Sequence, residues 1–216
     1  MAVLSTKLAL DPFENQTDIG TICCPGSCEY DPRQQAYTIT GAGANIWFDH
    51  DDFHFVWRRM RGDFIVTTRA QFIGMGTNPH RKLGWMARAN LGENSPEVCT
   101  GIHGDGLVSL QFRRIAGAQT EEVKAPIQGS DVIQLERRGN TYLMSVANFG
   151  EPFTTVQVTD LDLGEEVYLG LFVCSHEDNV IEKATFQDVR IVKPVKENFD
   201  RSKDPFGSRM EILDVT

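Results

Sequence analysis

The chain has 216 residues, a formal charge of −9, 41% aliphatic and aromatic residues, and nineteen glycines and nine prolines spread along its length. Such a length fits one large all-β unit, and the modest apolar share fits sheets with one wet face and many turns between short strands. The acidity excludes a nucleic-acid footprint, since the only basic clusters, Arg58-Arg59-Met60-Arg61 and Arg113-Arg114, are too small to reverse it, and no run approaches the roughly 18 apolar residues of a membrane span.

Met1 to Leu10 makes a poor signal peptide, with one lysine and no small-residue cleavage pattern. The chain therefore reads as cytoplasmic, or as an exported protein whose leader is absent from it. Cys23, Cys24 and Cys28 lack paired C-x2-C spacing, and vicinal Cys23-Cys24 close a normal disulfide with difficulty. Free thiols are expected for these and for Cys99 and Cys174, with a metal site or a disulfide as alternatives.

Residues 1–30 read as irregular, with turn material at Asp11-Pro12-Phe13 and Pro25-Gly26-Ser27. Ala36-Tyr37-Thr38-Ile39-Thr40 alternates as a short strand. Gly41-Ala42-Gly43-Ala44-Asn45 lacks the full glycine pattern and the following helix of a phosphate loop, so a nucleotide is not expected. Asp49 to His54 offers carboxylates and imidazoles to a hard cation, or is a surface turn rich in aspartate. Beyond it Phe53, Phe55 and Trp57 alternate with His54, Val56 and Arg58, giving one aromatic face and one bearing His54.

Phe64, Val66, Ala70 and Phe72 take the inner positions of the next strand. Gly74 to Lys82 reads as a loop, and Leu83 to Ala89 as an apolar strand that carries Arg88 at its end. The arginine is placed either to snorkel or to grip something planar. Val98 to His103 and Leu107 to Arg114 flank Gly104-Asp105-Gly106, a tight hairpin turn. Leu110 and Phe112 point to a core, while Ser109, Gln111 and Arg113 share the opposite face with His103 near its end. That face is a solvated surface, or a floor of hydrogen-bonding groups for a polyhydroxylated ligand. Asp131 to Arg137 and Thr141 to Val146 form another hairpin. Phe153 to Val158, Glu166 to Ser175 and Ala184 to Val192 add three strands, the near-continuous apolar run Val167 to Cys174 belongs at a sheet centre, and His176 sits just beyond it. The predicted fold is all-β, a two-sheet antiparallel jelly-roll sandwich.

The ordered set Phe53-His54-Phe55-Val56-Trp57, Gly84-Trp85-Met86-Ala87-Arg88, His103-Gly104-Asp105-Gly106, Ser109-Leu110-Gln111-Phe112-Arg113 and Gly170 to His176 resembles a poorly characterised bacterial family of concanavalin A-like (laminin G-like) jelly rolls. Members are often found beside TolB-like β-propellers or attached to glycoside hydrolases. The resemblance covers about residues 15–193. It implies a concave sheet that holds carbohydrate in related lectins and glucanases. The domains expected are a sandwich over 1–195 and a tail over 196–216 that resembles the start of a TolB-like propeller.

The leading expectation is a carbohydrate-binding module without a cofactor, partnered by glycans and by neither nucleic acid nor membrane; a homodimer of the chain is the other association considered. Its site is expected from His54, Arg88, Ser109, Gln111 and Arg113, with His103 and His176 at the rim and Trp57 or Trp85 stacking on the sugar. Because parity sets Trp57 opposite His54, both reach one face only if a bulge intervenes. The alternatives are an enzyme on glycans or modified sugars, with His54 or His103 as base, and a structural interaction domain. The glucanase motif Glu-x-Asp-x-x-Glu is absent, as is any G-x-S-x-G turn.

Overall fold

In a computed structural model the described chain spans residues 10–194. Its strands are β1 (Asn15–Ile19), β2 (Ser27–Asp31), β3 (Ala36–Gly43), β4 (Ile46–Trp47), β5 (His50–Asp51), β6 (Phe53–Arg61), β7 (Phe64–Phe72), β8 (Lys82–Arg88), β9 (Glu97–His103), β10 (Leu107–Arg113), β11 (Glu121–Gln128), β12 (Val132–Arg138), β13 (Thr141–Ala147), β14 (Thr154–Val158), β15 (Glu166–Cys174) and β16 (Glu177–Val192). There is no helix among the described residues. The front sheet runs β1-β6-β15-β8-β9-β10-β11 and the back sheet β14-β13-β12-β7-β16-β3-β2, while β4 and β5 form a separate ribbon. Every neighbouring pair is antiparallel.

Alternation explains how the layers form. Val56, Leu83, Trp85, Leu110, Phe112, Leu171 and Val173 leave the front sheet toward the back one, where they meet Tyr37, Ile39, Phe64, Val66, Leu135, Met144 and Phe186. Each such side chain contributes roughly 1.5–3 kcal/mol by leaving water. A second, smaller cluster lies on the outer face of the front sheet: Ile19, Ile46, Phe53, Phe55, Met86, Cys99, Phe172 and Cys174. The middle of the front sheet is thus covered on both sides, which is why β15 reads as near-continuous apolar sequence.

Besides the β4–β5 ribbon, three strands of the two large sheets depart from the sequence reading. The irregular first 30 residues contain β1 and all but the last residue of β2, and β11 occupies a stretch in which no strand was expected. All three are sheet edges. An edge strand is paired on one side only, and polar, charged or proline residues there are tolerated because they discourage further pairing. Asn15-Gln16-Thr17-Asp18 and Pro126 in β11 are such residues. All five cysteines are free thiols. The tail expected over residues 196–216 lies outside the described residues.

Gly84 shows how closely β8 and β9 approach. A methyl group there would collide with the Thr100 carbonyl oxygen, and the Thr100 hydroxyl spans the strands, accepting from Trp85 N (2.9 Å) and donating to Trp85 O (3.3 Å). Gly84→Ala is expected to cost about 1–3 kcal/mol by forcing the strands apart. Urea unfolding checks this as a lower midpoint at unchanged slope.

Candidate functional site

Cross-strand register decides which expected site residues meet. One row of the front sheet reads His54, Val173, Leu83, Ile102, Val108. The last four belong to the core between the sheets, so His54 also points inward, away from the face that carries Gln111. Its ring takes Asp18 Oδ1 at 2.7 Å and Gln16 Oε1 at 3.1 Å, and a methyl at Gly26 would strike it. Burial lowers its pKa against the pull of Asp18. The expectation that His54 joins the polar face is corrected: no bulge intervenes in β6. Trp85 also faces the inner core.

The next row reads Trp57, Gly170, Met86, Cys99, Gln111. Trp57 therefore shares the outer face with Gln111 but stands four strands away, about 19 Å at the usual spacing. It packs edge-on against Tyr168, at 4.9 Å between ring centroids.

Arg88 and Arg113 lie on the expected face and are completely buried. They are corrected from ligand-gripping groups to clamps. Asp51 of the ribbon receives Arg113 through both oxygens (2.7 and 2.9 Å) and Arg88 at 3.3 Å. Arg113 also donates to the carbonyls of Ala118, Ser95 and Phe48, and Arg88 to those of Asn90 and Gly92. These bonds draw the ribbon and two loops down over the front sheet, using the paired geometry that guanidinium and carboxylate share. Between the arginines, in register with both, lies Glu97. It is fully buried and neither carboxyl oxygen has a hydrogen-bond partner. Burial, assisted by Asp51, pushes its pKa up to about 8. The cation reading of Asp49 to His54 gains no ligand set: among the described residues no three His, Cys, Asp or Glu side chains come together as a metal site.

At the other end of the same face the ribbon leaves a groove of about 410 Å³, lined by Asn45, Trp47, Phe48, His80, Lys82, His103, Leu107, Gln111, Glu122 and His176. Of the expected residues, Gln111, His103 and His176 meet here, with Ser109 beneath them. Lys82 donates to Ile46 O (2.8 Å) and to Gln111 Oε1 (3.1 Å). The Gln111 amide nitrogen faces Glu122 Oε1 (3.0 Å), Ser109 Oγ (3.3 Å) and His103 Nε2 (3.4 Å). His103 Nδ1 is 3.0 Å from the Leu107 carbonyl, which can only accept. The Nδ1 proton therefore goes there, and Nε2 presents a lone pair. Burial, then Lys82, lowers the His103 pKa to about 4, so the ring is neutral at pH 7. Burial opposes ionisation of Glu122, but hydrogen bonds from Gln111 and Ser109 outweigh it and its pKa is lowered. His176, beside His80 at 5.4 Å between centroids, has its pKa lowered chiefly by burial. Two rim residues, Phe48 and His176, have φ of 53° and 62°. Positive φ on bulky side chains is uncommon and clusters at functional sites.

No protein-family model and no curated protein matches this sequence. Solved structures match by shape. A functionally unknown protein from Saccharomyces cerevisiae aligns with TM-score 0.62 at 14% identity, over 83% of this chain and 97% of that one. The carbohydrate-binding module CBM66 from Bacillus subtilis aligns with TM-score 0.53 at 12% identity, over 84% and 97%. The fold is concanavalin A-like. A legume lectin-like domain from Entamoeba histolytica shares this sandwich with TM-score 0.55 at 7% identity, over 84% and 91%.

Lys82, Trp47, Glu122 and His80 were not among the expected site residues. Lys82 had a readable signal, since positions 82, 84, 86 and 88 share parity and place it on the face of Arg88. Trp47 reaches the groove only because the ribbon folds back over β8 to β10. Glu122 sits on the edge strand β11, where the alternation of Val123, Ala125 and Ile127 toward the core sets it on the outward face, opposite Gln111.

Proposed function

We propose that the chain is a carbohydrate-binding module whose ligand occupies the groove between the β4–β5 ribbon and strands β8 to β10. The observation that carries this reading is the pairing of an indole wall with a fixed polar floor: Trp47 stands beside Lys82, whose Nζ lies 5.5 Å from the ring centroid, and the chain Lys82–Gln111–Glu122 joins donors to acceptors. Sugars present an apolar ring face and a rim of hydroxyls that both give and take hydrogen bonds. An aromatic plate with a few oriented polar groups matches both, and the groove volume lies within the usual range for ligand sites. The CBM66 module and the lectin-like domain, which have the same fold, support the reading.

Binding is favoured over a histidine-based reaction. A general base works best with a pKa near the operating pH, whereas that of His103 is about 4 and its Nε2 faces the Gln111 amide. His54, the other base considered, is on the opposite face of the sheet.

A glycan array followed by calorimetry tests the proposal. Trp47→Ala is expected to weaken the best glycan about tenfold, from lost stacking and buried area, while the unfolding midpoint stays near that of the unaltered protein. No binding of any glycan at millimolar concentration, or undiminished affinity in Trp47→Ala, would count against it.

A further inference from the structure

We infer that the groove selects an anionic sugar, one bearing a single carboxylate or sulfate ester that serves as the counter-ion of Lys82. This rests on the glycan-binding reading of the same groove and adds the class of sugar.

The starting point is a charge that the protein leaves unbalanced. Lys82 is 3% exposed, and its ammonium donates to two neutral acceptors, Ile46 O and Gln111 Oε1. Among the described residues no carboxylate forms an ion pair with it. An ammonium has three N–H donors, so one remains for a ligand. Burying an ammonium without a counter-ion is costly, and the lowered pKa of Lys82, caused chiefly by burial, reflects that cost.

Nearby acids do not fill the gap. Asp51 is held by Arg88 and Arg113. Glu97 keeps its proton at neutral pH because of burial and Asp51. Glu122 receives Gln111 and has Lys124 at 3.7 Å. With Glu97 neutral, the buried cations Lys82, Arg88 and Arg113 lie with one fully buried anion, Asp51, while the neighbouring buried carboxylate Asp52 takes the Thr21 amide (2.7 Å) and not Lys82. An excess of buried positive charge inside a chain of net charge −9 calls for an anion from outside. The long-range repulsion from that net charge is screened beyond about 10 Å in ordinary salt, whereas a contact in the groove is screened little. A single negative group suits the site better than a dianion, because Glu122 lines the same groove. A pyranose stacked on Trp47 would bring a ring substituent to the ammonium, given the 5.5 Å between Nζ and the indole.

The test measures binding of glucose, galactose and mannose oligosaccharides, each as the neutral form, the uronate and the sulfate ester, to the unaltered protein and to Lys82→Met. The expected result is at least one anionic series bound about tenfold or more tighter than its neutral counterpart, with the ratio of anionic to neutral affinity falling to about one in Lys82→Met, whatever that change does to neutral binding itself. Whether uronates or sulfates show the preference identifies the source of the anion. Equal affinity for neutral and anionic forms overturns the inference and leaves the glycan-binding reading intact; no binding by any form overturns both. If Lys82→Met does not fold, the neutral-against-anionic comparison in the unaltered protein decides by itself. Titration of His103 by nuclear magnetic resonance supports it: an anion in the groove raises the His103 pKa, and a neutral sugar leaves it in place.

Discussion

Replacing Asp51 with alanine lowers the unfolding free energy by about 3–5 kcal/mol, the usual cost of removing one partner from a buried ion pair. For a domain of this size that is a fall of roughly 10 °C in the unfolding midpoint. Asp51 is fully buried and takes three hydrogen bonds from two guanidinium groups that are themselves fully buried. Without it both cations remain in the interior, and the ribbon that carries Trp47 loses its anchor. Glu97 lies in register with both arginines, and ionising it would recover part of the loss. Asp51→Ala combined with Glu97→Gln is therefore expected to cost more than the sum of the single changes, a coupling that a double-mutant cycle measures. Asp49→Ala is the control: the Asp49 side chain is 58% exposed and its loss should stay within about 0.5 kcal/mol. An Asp51→Ala protein as stable as this control would refute the clamp.

The second large effect is a dependence on pH. Glu97 has a folded pKa of about 8, against roughly 4.3 in an unfolded chain. Over that interval the folded state binds the proton more tightly, so raising the pH destabilises it by about 1.4 kcal/mol per unit. His103 has the opposite sign. Its pKa is lowered to about 4, below the unfolded value of roughly 6.5, so its neutral burial favours the fold increasingly as pH rises to about 6.5 and adds nothing further above it. His54 and His176 are shifted in the same direction as His103. The contributions oppose one another below about pH 6.5, and above it Glu97 acts without that opposition. The expected result is a loss of about 2 kcal/mol between pH 6.5 and 8, read from urea midpoints. Glu97→Gln keeps the shape of the protonated acid without its titration, and should flatten this decline. An unchanged slope in Glu97→Gln would show that the carboxyl is not protonated in the fold.

Parity carried much of the site reading. Ser109, Gln111, Arg113 and His103 share a face as alternation requires, and Arg88 joins them from the neighbouring strand. The same rule, applied to His54 and Trp57, already set one of the pair on the wrong side, and the inward row of His54, Val173 and Leu83 shows which. Parity says nothing about distance across a sheet. Trp57 has the right face and the wrong end of the row, and only the strand order, with β15, β8 and β9 lying between β6 and β10, reveals this. Edge strands were harder to read for a related reason: β1 has no alternating apolar pattern, and in β2 and β11 the alternation of Cys28 and Tyr30, and of Val123, Ala125 and Ile127, is short, weakly apolar and set among charged residues or beside Pro126.

What the sequence determined by itself is the all-β sandwich and the side of the strand on which each of these residues lies, because the two-residue period of a strand and the chemistry of its turns are local properties. What the tertiary structure alone decided is which part of that face is closed and which is open. Arg88 and Arg113 became clamps and Lys82, Gln111 and Glu122 became a groove floor because residues 44–52 fold back across the front sheet, and the position of that ribbon depends on a buried carboxylate meeting two guanidinium groups far from it in the chain, a contact that no local pattern encodes.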